Sequence, residues 1–148
     1  MGSAQPATRA VEHFRAHWQR VLRLDADIDV ARGDVIAAAG ALPRLAKAVD
    51  VTLCWLEDEP LRAGARYLAR LGTKTVSAAV TTIDHRIDLA NLAPAVATTP
   101  LAMNDIARAR LAFGQAVPVD AYASIRATGA FILIDPATNR TVAAGMIV

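Results

Sequence analysis

At 148 residues, with 54% hydrophobic and 20% charged side chains, the chain can bury one substantial core and has the balance of a globular domain, not a disordered tract. Its formal net charge of +2 resides in residues 1–20, where Arg9, Arg15 and Arg20 face Glu12 alone. The remainder is neutral and offers no evident basic stripe for nucleic acid. No apolar run is long enough to span a bilayer, the N-terminus has no signal-peptide core, and the single cysteine, Cys54, excludes an internal disulfide and suits a reducing cytoplasm.

In residues 1–20, a leader from Met1 to Pro6 precedes Val11, Phe14, Trp18 and Val21, spaced by three and four. That spacing predicts a short amphipathic helix, read as covering an exposed edge of the body and not as a membrane anchor. From Val21 the texture becomes β. Leu22, Leu24, Ala26 and Ile28 alternate with Arg23, Asp25 and Asp27, the pattern of a half-exposed strand. Arg32-Gly33-Asp34 then reads as a tight turn before Val35–Ala38. Ala39–Asp50, with Gly40 and Pro43, reads as a connector.

Val51–Leu56 reads as an apolar strand ended by Glu57-Asp58-Glu59-Pro60. Leu61–Leu71 crosses over through Gly64, with Tyr67 and Leu68 in a strand. In Thr73–Ile83, Val76, Ala78 and Val80 share one face. Asp84–Pro100 is expected to be a loop with one short element. Ala107, Ala109, Leu111 and Phe113 form the apolar face of the next strand, and Gly114–Thr128 a long loop. Ala130–Ile134 and Thr141–Val148 close the chain as a strand pair. Their continuous apolar runs suggest that both faces are covered, one by the core and the other by a neighbouring domain. About five strands after residue 50, with no regular helix between them, point to an all-β antiparallel barrel or sandwich.

Chemistry-bearing constellations are weak. No G-x-x-x-x-G-K-[ST] or G-x-G-x-x-G is present, and Gly72-Thr73-Lys74-Thr75 lacks the spacing of a phosphate loop. His13 and His17 are too few for a zinc site, and successive carboxylates at Glu57, Asp58 and Glu59 rarely converge on one cation. Cys54 among Leu53, Trp55 and Leu56 reads as a small apolar group, and nothing local brings His85 to it as a base.

Several stretches nevertheless resemble one family. Asp27–Ile36 with its Arg-Gly-Asp turn is similar to the end of the second domain of translation-factor GTPases. Leu53-Cys54-Trp55-Leu56, Glu59-Pro60-Leu61, Arg66-Tyr67-Leu68, Gly72-Thr73 and Ile83–Asp88 resemble the third-domain barrel of the GTP-hydrolysing large subunit of sulfate adenylyltransferase. So do Asn104–Ala107, Asp120-Ala121-Tyr122 and Arg126–Asp135. In this order they favour the sulfate-activating branch over elongation factors.

The resemblance implies an all-β fold: an antiparallel β-barrel like the elongation factor Tu-type third domain, to which the spacing in residues 1–20 adds a short N-terminal helix. It covers residues 21–148, with 21–40 as a remnant of the second-domain barrel and 41–148 as the third; residues 1–20 do not resemble the family and are read as a leader with a candidate amphipathic helix. The intact family member binds GTP and Mg and couples GTP hydrolysis to synthesis of adenosine 5′-phosphosulfate and pyrophosphate from ATP and sulfate. This chain is expected to carry no catalytic residue and no cofactor or metal site of its own, and to act as a docking and coupling module in the cytoplasm. The implied partner is the small catalytic subunit. Self-association through the exposed N-terminal edge is a further expectation; no membrane is implied. The candidate partner contacts are Arg66, Tyr67, Arg86, Asn104, Asp105 and Arg126, weighed against a purely structural role in turns and cross-strand pairs. The alternative is a translation-factor-like barrel that binds RNA or another protein.

Overall fold

The computed structural model describes residues 26–38, 40–90, 93–96 and 100–148. The expected helix near Val11–Val21, with His13 and His17, and the Leu22–Leu24 part of the expected leading strand lie outside them. Among the described residues seven strands form: β1 (Arg44–Trp55), β2 (Arg66–Leu71), β3 (Lys74–Ile87), β4 (Pro94–Val96), β5 (Ile106–Val119), β6 (Ala130–Ile134) and β7 (Thr141–Ile147). A single helical turn, α1 (Arg126–Gly129), precedes β6. Every pairing is antiparallel. The order β2-β6-β7-β1-β5-β3 closes on itself through β2–β3 into a six-stranded barrel, with β4 added to the far end of β3. Closure removes the unpaired edges of an open sheet.

The alternation seen in the sequence determines which side chains fill the barrel. Val76, Ala78 and Val80 of β3 point inward, as do Ala107, Ala109, Leu111 and Phe113 of β5 and Val49, Val51, Leu53 and Trp55 of β1. Gly72-Thr73 is the two-residue turn between β2 and β3, and the φ of 55° at Gly72 has the sign that the first position of a type II′ turn needs.

Three boundaries differ from the sequence expectation. β1 begins at Arg44, inside the expected connector, β3 runs on to Ile87, into the expected Asp84–Pro100 loop, and β5 runs on to Val119, through the expected loop. Pro118 withholds one ladder bond, worth about 0.5–1.5 kcal/mol. Val117 and Val119 on either side of it are fully buried, and each such burial contributes about 1.5–3 kcal/mol, so the strand continues. The break read at Gly114 survives as a register shift: Ala46 pairs with Val117, but Ala48 with Ala112.

β3 carries two further shifts, between Val80 and Thr82 and between Ile83 and His85. Each bulge turns the strand by one residue. Ile83 and Arg86 therefore lie opposite the buried Ala109 and Ala107, while His85 and Ile87 face outward opposite Arg108 and Ile106.

The segment 26–38 contains no strand, contrary to the alternation at Ala26–Ile28 and the apolar run after Asp34. Alternation supplies a face, but a strand also needs a ladder partner, and no described residue pairs with this one. The Arg-Gly-Asp turn does form. Asp34 N–H donates to the Ala31 carbonyl at 3.1 Å, and the Ala31 N–H donates to Asp34 Oδ2 at 2.9 Å. Gly33, with φ 101°, is pressed onto the β2–β3 turn, where a Cβ would lie 3.3 Å from that of Lys74. The segment is thus a strap lying across one end of the barrel. It leaves Ile28, Val30, Val35 and Ile36 between 44% and 61% exposed.

Candidate functional site

The polar candidates separate into two ends of the barrel. At one end, Trp55 is buried and organises its neighbours. Its indole N–H donates to the Glu59 carbonyl at 2.8 Å, and its ring meets Tyr67 edge-on at 5.8 Å. Its backbone receives the N–H of Asn104 at 2.8 Å and donates to the carbonyl of Asp105 at 3.0 Å. Asn104 adopts φ 68° in a turn closed by Asp105 N–H and the Ala102 carbonyl; asparagine tolerates that left-handed geometry better than most residues. Asp105 Oδ2 accepts from Ala102 N–H at 2.7 Å and from Arg86 Nη2 at 3.1 Å, and Arg86 Nη2 also reaches the Pro100 carbonyl at 3.4 Å. Burial, followed by the negative charges of Asp135 and Glu59, raises the Tyr67 phenol above its ordinary pKa.

Of the sequence candidates, then, Tyr67, Arg86, Asn104 and Asp105 are brought together around Trp55. Arg66 is exposed at the start of β2. Arg126 stands apart on α1, 5.9 Å over the Tyr122 ring. Cys54 and His85 are on β1 and β3, which do not pair with each other; β5 runs between them. Glu57 forms an ion pair with Arg140 at 3.1 Å. Among the described residues no group of three or more His, Cys, Asp or Glu side chains could hold a metal ion, and no helix is long and apolar enough to cross a membrane.

The barrel exterior also carries an apolar row. Ile132 pairs with Ala144, Ala144 with Cys54, Cys54 with Ile106, and Ile106 with Ile87. Directly paired residues lie on one face of a sheet. These five therefore form a continuous apolar row across the outside of β6, β7, β1, β5 and β3. None of them belongs to the buried core, which is built from alternate residues of the same strands. Met146, 41% exposed, and Thr52 flank the row, and Tyr122 closes one side of a shallow groove of about 390 Å³ above it. The last two strands are apolar on both faces, but of the two faces expected to be covered only the inner one is covered by the described residues. None of these row residues is among the candidate partner contacts read from the sequence, all of which are polar; the two-sided apolar runs at Phe131–Ile134 and Val142–Val148 were the available signal.

A closed six-stranded antiparallel barrel is the fold seen in the C-terminal domains of translation-factor GTPases. Residues 48–148 match the family model of the GTP-eEF1A C-terminal domain-like proteins, and the chain belongs to that family. It is similar to sulfate adenylyltransferase subunit 1 of Laribacter hongkongensis, 40% identical over 127 residues, covering 85% of this chain and 26% of that one. It is equally similar to the bifunctional enzyme CysN/CysC of Mycobacterium tuberculosis, 40% identical over 127 residues, 85% of this chain and 21% of the relative. The chain thus spans about a fifth to a quarter of the length of the curated relatives it matches. Among solved structures, Sup35 complexed with GDP superimposes with a TM-score of 0.67 at 17% identity, covering 75% of this chain and 27% of that one. At that identity the likeness is one of fold.

Proposed function

We propose that this chain acts as a docking and coupling barrel of a sulfate adenylyltransferase GTPase subunit, without a GTP site of its own. In this reading residues 21–40 belong to the end of a preceding second barrel, 41–148 form the third, and the protein works in the cytoplasm beside the small catalytic subunit. The observation that carries it is the registered row Ile132–Ala144–Cys54–Ile106–Ile87. A barrel whose interior is already filled gains nothing in its own fold from a second apolar face. Such a face fits the desolvated centre of a protein interface. The exposed aliphatics of the strap, Ile28, Val30, Val35 and Ile36, fit packing against the remainder of a second barrel in the same way. The 40% identity to sulfate adenylyltransferase subunit 1 supports the small catalytic subunit as the partner.

Calorimetric titration of the chain with that small subunit, with GTP in a parallel run, tests the proposal. Micromolar or tighter binding of the subunit is expected, weakened at least tenfold by Ile132→Lys, with no heat from GTP. Absence of subunit binding, or binding indifferent to Ile132→Lys, refutes it.

A further inference from the structure

A second cavity, of about 300 Å³, opens on the Arg86 side of the Asp105–Ile106 corner and is lined by Leu61, Arg62, Ala63, Ile83, Arg86, Pro100 and Leu101. Its floor is apolar and tied by backbone hydrogen bonds. Leu61 and Leu101 form an isolated antiparallel bridge, with reciprocal backbone bonds of 2.9 and 3.2 Å, and both are fully buried. Ile83 reaches this floor because the β3 bulge between Val80 and Thr82 turns it inward. The rim is held as well: Ala65 N–H closes a turn on the Arg62 carbonyl at 3.3 Å, and Gly64 N–H ties that turn to Val80 at 2.7 Å.

The charge in this cavity is one-sided. Two guanidinium groups line it and no carboxylate does. Arg86 shares its charge with Asp105 behind the wall, whereas among the described residues no carboxylate forms an ion pair with the exposed Arg62. An apolar floor with one unneutralised guanidinium at the lip selects for a ligand with the complementary halves: an apolar group and, next to it, a carboxylate. Arg favours that anion through paired N–H donors. The volume is at the lower limit of small-ligand clefts, about 300–1,000 Å³, which suits a single bulky side chain.

We propose that this pocket is an anchor site for a partner segment carrying a bulky aliphatic side chain beside a carboxylate, the side chain seated on Leu61, Ile83 and Leu101 and the carboxylate on Arg62. The proposal rests on the docking reading above and specifies the chemistry of one of its contacts. The corner residue Ile106 belongs to the exterior row, and its neighbour Asp105 is ion-paired with Arg86 of the pocket lining, so one partner can engage both.

The test uses N-acetyl-leucine, which has the carboxylate, and the neutral N-acetyl-leucinamide, titrated into the isotope-labelled chain by nuclear magnetic resonance. Weak, saturable amide shifts are expected at Leu61, Ala63, Ile83 and Leu101 for the acid, with binding at least fivefold weaker for the amide. Arg62→Gln, at an exposed position, is expected to erase that difference without loss of fold. Equal binding of the two compounds, shifts confined to other surfaces, or a difference that survives Arg62→Gln overturns the proposal. Calorimetry separates the two readings. A small subunit that binds the wild-type and Arg62→Gln chains equally removes the anchor while sparing the docking role. A small subunit that binds neither removes the docking role, and the acid–amide comparison still decides the pocket's chemistry.

Discussion

Gly129→Ala should be among the most damaging single-methyl additions in this barrel. Gly129 is buried at the end of α1, and its N–H donates to the Ile125 carbonyl at 2.9 Å. A Cβ there would stand 2.6 Å from the Tyr122 nitrogen and 3.0 Å from the Ala121 carbonyl carbon, and would overlap Tyr122 Cα. All three are backbone atoms, so no rotamer change relieves the contact. The backbone is itself tied down: Tyr122 N–H donates to Ile147 of β7 at 2.9 Å, and the amides of Ser124 and Ile125 both donate to the Ala121 carbonyl. Relief requires opening that turn or pushing it off the end of β7. Overpacking of this kind costs about 1–3 kcal/mol, and losing one turn hydrogen bond adds about 0.5–1.5 kcal/mol. Alanine's better helix propensity returns about 1 kcal/mol, leaving a net loss of about 2 kcal/mol. For a domain of this size that lowers Tm by about 5–15 °C. Thermal unfolding followed by circular dichroism measures it, with Gly40→Ala as the control, since an added Cβ at Gly40 meets nothing within 4 Å. A Gly129→Ala chain melting within about 1 °C of wild type would refute the argument that backbone proximity at Tyr122 demands glycine.

Leu111→Ala, at a fully buried site on β5, should lower unfolding free energy by about 2–5 kcal/mol through lost burial and a residual cavity; a urea midpoint close to wild type would contradict the core assignment. Asp105→Ala removes the acceptor for Ala102 N–H and for Arg86, at a cost of about 1–3 kcal/mol. Most of that loss should persist at about 1 M salt, where ion pairs are screened but the amide bond is not. A loss abolished by salt would mean that only the ion pair matters. Tyr67 keeps its proton to a higher pH in the folded chain than in the unfolded one, because burial, then Asp135 and Glu59, raise its pKa from 10.0. Its contribution is fully present below pH 10.0 and is lost as pH rises through the raised folded value. Tyr67→Phe should therefore flatten the decline of stability in that alkaline window, and an unchanged pH profile would count against the assignment. Ile132→Lys, on the barrel exterior, should shift Tm far less than Leu111→Ala while weakening binding of the small subunit at least tenfold; a collapse of the fold would show that Ile132 is a core residue.

Much of the barrel is legible in the sequence. The inward faces of β3 and β5 follow directly from the alternation at Val76, Ala78 and Val80 and at Ala107, Ala109, Leu111 and Phe113, because side chains on a strand alternate between its two faces. The Arg32-Gly33-Asp34 turn was readable for the same kind of local reason: φ and side-chain capping depend only on near neighbours. The extension of β5 past Gly114 and Pro118 was not. Local breaker signals favoured a loop there, and only the burial of Val117 and Val119 against other strands outweighed them. The strap at 26–38 failed in the opposite direction, having the pattern of a strand without a described partner to pair with.

The candidate site divides along the same line. The family resemblance was carried by ordered short motifs, and the match of residues 48–148 to the GTP-eEF1A C-terminal domain-like model agrees with it. Arg86, Asn104 and Asp105 were singled out as polar positions, but their gathering around Trp55 depends on bonds between residues far apart in the chain. The exterior row is the clearest case. Ile87, Ile106, Cys54, Ala144 and Ile132 come from five strands, and nothing in their own surroundings marks them as neighbours. By itself the sequence determined the inward faces of β3 up to Val80 and of β5, the Arg32-Gly33-Asp34 turn and the family, all of which follow from short-range periodicity and local motifs. Only the tertiary structure decided which outward residues stand side by side and which cavity receives Arg62 and Arg86, because strand register and the two β3 bulges are set by packing across the whole barrel.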